Sequence, residues 1–297
     1  MQTVKTILFL KTNVPSVLVT GASGQLGSEL KIIASQYPGF HFFFTTRNEL
    51  SIDDFDSVKN FFNDNKIDTC INCAAYTAVD KAETEPEKAM HTNAAAVGNL
   101  ATVCAEKNCR FIHISTDYVF DGTATQPYKE TDLTSPVSFY SRSKVKGEEL
   151  ALKNNPSSLI IRTSWLYSSF GSNFVKTMIR LMKERENIKV VNDQIGSPTY
   201  AADLAAAIMK IISSDTFKSG IYHYANTGTT TWFEFAIAIK ELTGSTCLIS
   251  PIPTSEYPTP AKRPAYSVFD TSKIKASFAI SIPAWKESLK NCIKLLQ

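Results

Sequence analysis

The sequence predicts an α/β fold, a doubly wound parallel sheet with helices on both faces and a smaller C-terminal α/β substrate-binding lobe. Three observations carry that prediction. Short β-rich runs alternate with helical stretches through the first half of the chain. The runs are continuously apolar, as strands buried on both faces are. A glycine-rich turn joins the first run to the first helical stretch, and right-handed crossovers then favour doubly wound topology.

The first strand is Val17-Leu18-Val19-Thr20, and the stretch after it sets Leu26, Leu30 and Ile33 on one helical stripe. A second strand over 40–46 precedes a helix whose Phe55, Val58, Phe61 and Phe62 share a face. A third strand spans 68–75, and a long Ala-rich helix follows over 86–108. The fourth strand lies within 110–120, a helix covers 139–154, and a fifth strand runs over 158–166. Beyond Trp165 the rhythm changes. Helices at 173–186, 203–213 and 232–242 surround a Gly/Pro loop at 196–199 and a strand-like 221–224. A Pro-rich stretch, 251–264, reads as a structured loop over a ligand, and a last helix starts at Ala284. The expected division is an N-terminal extension over 1–14, a dinucleotide-binding domain over 15–167 and a mainly substrate-binding lobe over 168–297, with 221–226 returning to the sheet.

The 31 Lys+Arg nearly balance the 28 Asp+Glu, so the net charge of +3 argues against a nucleic-acid binder. No apolar stretch approaches the ~18–20 residues of a membrane span. The N-terminal run Ile7-Leu8-Phe9-Leu10 ends at Lys11 and is shorter than the ~7–15 residues of a signal-peptide core. Cys70 and Cys73 form a C-x-x-C, yet they lie in an apolar strand whose alternate residues face opposite ways, and no second pair completes a zinc site. All six cysteines read as reduced thiols, which fits a cytoplasmic enzyme.

Gly21-Ala22-Ser23-Gly24-Gln25-Leu26-Gly27 stands at the first strand-to-helix junction. There glycines permit a tight turn, close approach to a diphosphate and close helix–sheet packing, with the anion at the positive end of the helix dipole. After the second strand, Arg47 suits the 2′-phosphate of NADPH, with NADH left open. Tyr140 and Lys144 are four apart and share a helix face. The ammonium is expected to lower the phenol pKa from its ordinary ~10, tuning a general acid. Ser115-Thr116-Asp117 lies at the end of the fourth strand, where such sheets place ligands; Thr116 can reach the same substrate oxygen and Asp117 sugar hydroxyls.

This constellation resembles the extended short-chain dehydrogenase/reductase superfamily and, within it, the dTDP-4-dehydrorhamnose reductase family over nearly the whole chain. The matching blocks are 24–27, 72–83, 115–122, 162–165 and 192–199, followed by Arg263-Pro264 with Ser267 and Asp270. The resemblance implies hydride transfer from NAD(P)H to the C4 carbonyl of a dTDP-4-dehydro sugar. It implies that Gly24, Gln25 and Leu26 lie under the cofactor diphosphate and Ala74, Ala75 and Tyr76 beside the adenosine ribose. It makes Tyr140 the proton donor, Lys144 its ribose-binding partner and Thr116 the group polarising the carbonyl. Asp117 and Trp165 would then hold the sugar, with Asn173, Gln194 and Arg263 at the substrate's nucleotide-diphosphate end. The implied partner is a nucleotide-diphosphate sugar, with neither nucleic acid nor membrane, and homodimerisation is left open.

Two departures stand out. The family's Leu-Asp-x-x-Asp pattern is here Leu50-Ser51-Ile52-Asp53-Asp54, which leaves cofactor preference open. Some relatives are associated with Mg²⁺; Glu29 offers one acidic group without a set of partners, so no metal site is assigned. Two other readings share these motifs. A nucleotide-sugar epimerase or dehydratase would keep the fold, and a dehydratase usually places Asp-Glu where Asp117-Tyr118 stands. A non-catalytic cofactor-binding regulatory subunit would have no need of the intact Thr116, Tyr140 and Lys144.

Overall fold

The computed structural model describes residues 14–214 and 216–297. The N-terminal extension expected over 1–14 therefore lies, apart from Val14, outside the described residues. Along the chain come β1 (Ser16–Thr20), α1 (Gln25–Ala34), β2 (His41–Thr45), α2 (Phe55–Asp64), β3 (Thr69–Asn72) and α3 (Pro86–Met90). A π-helical turn, His91–Ala95, leads into α4 (Ala96–Glu106), β4 (Arg110–Thr116), α5 (Phe139–Asn154) and β5 (Leu159–Thr163). The remainder is β6 (Leu166–Tyr167), α6 (Phe174–Glu184), β7 (Asn187–Val191), β8 (Ile195–Gly196), β9 (Thr199–Tyr200), α7 (Ala201–Ile212), β10 (Gly220–Tyr224), β11 (Thr230–Thr231), α8 (Trp232–Thr243), β12 (Leu248–Ile252), α9 (Ser272–Phe278) and α10 (Trp285–Lys294).

Six parallel strands form the central sheet in the order β2-β1-β3-β4-β5-β10. The doubly wound class is as predicted. Each strand is apolar on both sides because each side has its own helical layer. Val17, Val19, Ile71, Leu159 and Ile161 pack with α1, α7 and α9, while Leu18, Cys70, Phe111 and Ile160 pack with α2, α4 and α5. Cys70 joins one layer and Cys73 packs against the other, so the C-x-x-C straddles the sheet and all six cysteines are free thiols. The order reverses between β1 and β3, which opens a crevice at the carboxyl ends of the strands. A separate core joins α6, α8, α10 and β7 around Tyr167, Phe235 and Trp285. Residues beyond 167 are not confined to that core, since β10 extends the sheet and α7 packs on α1.

Four differences from the expected elements have physical causes. The helix read over 86–108 is interrupted by the π turn, where Asn93 bonds Tyr76 and Ser143 and its carbonyl lies against Gly147 of α5. A Cβ at Gly147 would fall 2.0 Å from that carbonyl, so α5 needs glycine there. The strand read over 158–166 stops at Thr163, because Trp165 adopts a left-handed φ of 47°. β7 and β12 form a two-stranded parallel sheet that the Pro-rich reading of 251–264 hides. Pro251 is tolerated because β12 has only one neighbour and its missing N–H faces away from a ladder. Finally, α9 is a short helix that periodicity alone does not reveal.

Candidate active site

The glycine loop closes the floor of the crevice. Gly21 has φ 65°, and a Cβ there would lie 2.6 Å from the Ala74 nitrogen, so β1 and β3 approach as only glycine permits. A Cβ at Gly27 would meet the Gly21 carbonyl at 2.5 Å. Gly24 is the N-cap of α1 and no side chain caps that terminus, so the N–H groups of its first turn are presented to the crevice. These features fit a dinucleotide diphosphate. Leu26 is buried in the sheet core, whereas Gln25 accepts from Asn173 Nδ2 at 2.9 Å. Ala74, Ala75 and Tyr76 leave β3 half-buried beside the loop, and Tyr76 is held through both backbone polar groups by Asn93 (2.8 and 2.9 Å). Arg47 stands apart at the surface, its 72% exposed side chain paired with Asp53 at 3.0 Å.

A capping box starts α5, with Ser138 and Ser141 each bonding the other's backbone N–H at 3.2 and 2.8 Å. That start places Tyr140 in the first turn and Lys144 one turn on, both buried. The end of β4 brings Thr116, whose hydroxyl donates to Asp117 Oδ1 at 3.1 Å. Asp117 is buried and its Oδ2 has no hydrogen-bond partner. Burial pushes its carboxyl up to about 7, against the opposing hydrogen bonds of Ser267 and Thr116. An orphan acceptor in such a place is matched to an incoming donor.

Lys144 and Tyr140 do not behave as their spacing alone implies. The Lys144 Nζ donates to the Ile114 carbonyl at 2.7 Å and faces His113 Nε2 at 3.2 Å. Burial lowers it to about 8, with Glu148 opposing. Burial raises the Tyr140 phenol to about 12, the Thr116 hydroxyl pulling it down and Asp117 pushing it further up. The expected depression of the phenol by Lys144 is thus outweighed, and Tyr140 is held protonated at neutral pH, ready to donate.

The remaining sequence-predicted residues fall into two groups. Trp165 stacks on Trp232 at 3.6 Å and 8°, with Gly196 against its edge. Trp232 Nε1 donates to Gln194 Oε1 at 3.2 Å, and Gln194 Nε2 donates to Thr254 at 3.0 Å. Asn173 caps α6 through Oδ1 while its amide N–H groups reach Gln25 and the Ser168 carbonyl. Arg263 grips Asp80 through two nitrogens (3.1 and 2.8 Å), which holds the Asp80 carboxyl below its ordinary range and brings both charges beside Tyr118. Sequence reasoning missed Asn93, His113 and the partner role of Asp80. A lone imidazole in the apolar strand Phe111-Ile112-His113-Ile114 was the available signal.

Glu29 is buried and accepts from Ser168 at 2.6 Å; among the described residues no group of three or more metal-binding side chains is assembled. Among the described residues, no helix is long and apolar enough to cross a membrane.

A glycine cradle, strand-end hydroxyls and a buried Tyr/Lys helix at the switch point of a six-stranded sheet define an extended short-chain dehydrogenase/reductase. The chain belongs to the RmlD substrate binding domain family, whose model matches residues 15–297. It is 42% identical over 285 residues to a dTDP-4-dehydrorhamnose reductase of Aggregatibacter actinomycetemcomitans, covering 93% of this chain and 97% of that one. It superposes with a TM-score of 0.91 on a dTDP-4-dehydrorhamnose reductase of Clostridium acetobutylicum, at 41% identity, 95% of this chain and 99% of that one. The Bacillus anthracis dTDP-4-dehydrorhamnose reductase in complex with NADP gives a TM-score of 0.89 at 39% identity, covering 94% and 99%.

Proposed function

We propose that this chain is an NADPH-dependent reductase that converts dTDP-4-dehydro-L-rhamnose to dTDP-L-rhamnose. The observation that carries the reading is a buried, protonated Tyr140 placed beside Thr116 and the orphan Asp117 Oδ2 at the strand ends. When bound, NADPH supplies the hydride for the sugar C4 carbonyl. Tyr140 gives its phenolic proton to the oxygen as negative charge develops there, and Thr116 donates to the same oxygen. Asp117 Oδ2 accepts from a sugar hydroxyl. Lys144 holds the cofactor ribose, the amides above Gly24 hold its diphosphate, Ala74, Ala75 and Tyr76 flank its ribose, and Arg47 meets its 2′-phosphate. The stacked Trp165 covers the sugar. Gln194 and Arg263 receive the nucleotide-diphosphate end, and Asn173 ties that end to Gln25. The two-part division at about residue 167 follows from these roles, with β10 and α7 returning to the cofactor layer. The reduced, buried thiols support a cytoplasmic setting.

The test is NADPH and NADH oxidation with enzymatically generated dTDP-4-dehydrorhamnose and identification of the product. Stoichiometric NADPH consumption with formation of dTDP-L-rhamnose is expected. Product formation without net cofactor consumption would instead indicate an epimerase, and no turnover of any nucleotide sugar a regulatory subunit. Tyr140→Phe is expected to lower kcat by about 10³-fold while leaving NADPH binding within about threefold.

A further inference from the structure

Beneath the crevice, three buried polar side chains line up across the sheet. Thr20, Asn72 and His113 are in-register neighbours on β1, β3 and β4, and all are fully buried. They face the layer that contains α5, and the line ends at Lys144 Nζ. Polar residues at three adjacent register positions of an otherwise apolar layer are costly unless each finds a partner.

Here each does, and the partners fix the direction of every hydrogen bond. The Ala74 backbone N–H can only donate, and it meets Asn72 Oδ1 at 3.2 Å. Thr20 donates to the same oxygen at 2.7 Å. The Asn72 amide is therefore oriented with Nδ2 toward His113 Nδ1, at 3.1 Å. An amide N–H donates, so Nδ1 accepts, and a neutral imidazole then carries its proton on Nε2. Burial, reinforced by Lys144, keeps the ring neutral by holding its pKa well below the ordinary value. The Nε2–H consequently points at Lys144 Nζ, 3.2 Å away, while Nζ donates to the Ile114 carbonyl at 2.7 Å. An amine meets that N–H with its lone pair. An ammonium has none, and can be accommodated only if the ring proton moves to Nδ1, where it would oppose the Asn72 N–H.

We propose that Thr20, Asn72 and His113 act as a directional hydrogen-bond string that positions Lys144 and couples its charge to the tautomer of His113. His113 is thus a positioning residue, acting on the substrate through Lys144. The titratable groups facing Lys144 are His113 on β4, with Tyr140 and Glu148 on its own helix; Glu148 is held in turn by Ser115 on β4 and Arg162 on β5. The inference rests on the reading of Lys144 as part of the catalytic machinery.

Two measurements on the free protein test it without substrate. In the unaltered chain, side-chain ¹⁵N NMR of His113, assigned by signal loss in His113→Phe or by elimination of His41, His91 and His223, is expected to show Nε2 protonated at high pH. The protonated fraction should change with the same midpoint as Lys144, followed by ε-¹³C lysine labelling. A ring protonated on Nδ1 at high pH, or unchanged through that titration, overturns the proposal. In Asn72→Asp the carboxylate accepts from Nδ1–H, which leaves Nε2 to accept from an ammonium. The Lys144 midpoint should then rise by about one pH unit, a tenfold change in its ionisation constant, and by less than half as much when His113→Phe is added. An equal shift in both backgrounds is through-space charge alone and also overturns it. The alkaline limb of kcat should follow the Lys144 midpoint; a midpoint that moves while kcat does not refutes the catalytic reading of Lys144 and leaves the string intact.

Discussion

Helix α5 carries two buried charged residues one turn apart, and their surroundings are opposite. Glu148 has both carboxylate oxygens filled: Ser115 donates to one at 2.5 Å, and Arg162 reaches the two through Nε at 3.0 Å and NH2 at 2.7 Å. Arg162 in turn lies over the Phe120 ring. Lys144, by contrast, sits among Ile114, His113 and the phenol of Tyr140, and the nearby Asp117 keeps an oxygen with no partner. A buried charge whose bonding capacity is exhausted fixes β4, α5 and β5 in place. A buried group with capacity left over is prepared for something that arrives later.

The comparison can be broken most severely at the filled site. Arg162→Met leaves Glu148 buried without its counter-charge and is expected to cost about 3–5 kcal/mol in urea unfolding. Adding Glu148→Gln should recover more than half of that loss; no recovery would mean that packing, not charge, holds this corner. The open site should respond with the opposite sign. Asp117 has a folded pKa of about 7 against an ordinary 3.8, so its contribution to stability is full below pH 4 and is lost as pH rises through 7. Asp117→Asn is therefore expected to stabilise the free protein by about 2 kcal/mol above pH 7, and by little at pH 4. The same change should lower kcat/KM by about 10- to 100-fold, the effect of a lost charged hydrogen bond. A variant destabilised at pH 8 would remove the distinction between the two sites. The smallest effect belongs to the exposed pair. Arg47→Ala should alter stability by less than ~1 kcal/mol and reduce the NADPH-over-NADH affinity ratio by about tenfold. An unchanged ratio would show that Arg47 is only a partner for Asp53.

What was legible in the sequence follows the same line between local and distant causes. The runs around Val17, Ile71, Ile112 and Ile160, and the stripe of Leu26 and Leu30, are periodic, so sheet, layers and glycine loop could be read directly. Tyr140 and Lys144 were readable because helical spacing alone puts them on one face. The partners that set their chemistry were not. His113 precedes Lys144 by 31 positions and Asn72 precedes His113 by 41, so only sheet register joins them. The same holds for Arg263 and Asp80, 183 positions apart, and for β7 with β12, which pair across α8. The π turn was invisible because its cause, the reach of Asn93 to Tyr76 and Ser143, is tertiary, while Ala-rich composition favours an unbroken helix.

That turn restricts how the chain can change length. A π turn holds one residue more than an α turn, and each residue in a helix advances the side chains by about 100°. Deleting a single residue from His91–Ala95 would relax the helix into ordinary geometry and rotate everything after it. Val97, Leu100 and Cys104 would swing off the sheet, and Asn93 would lose Tyr76. Loops in this molecule can gain or lose residues; this segment, although helical and devoid of any reacting group, cannot lose even one.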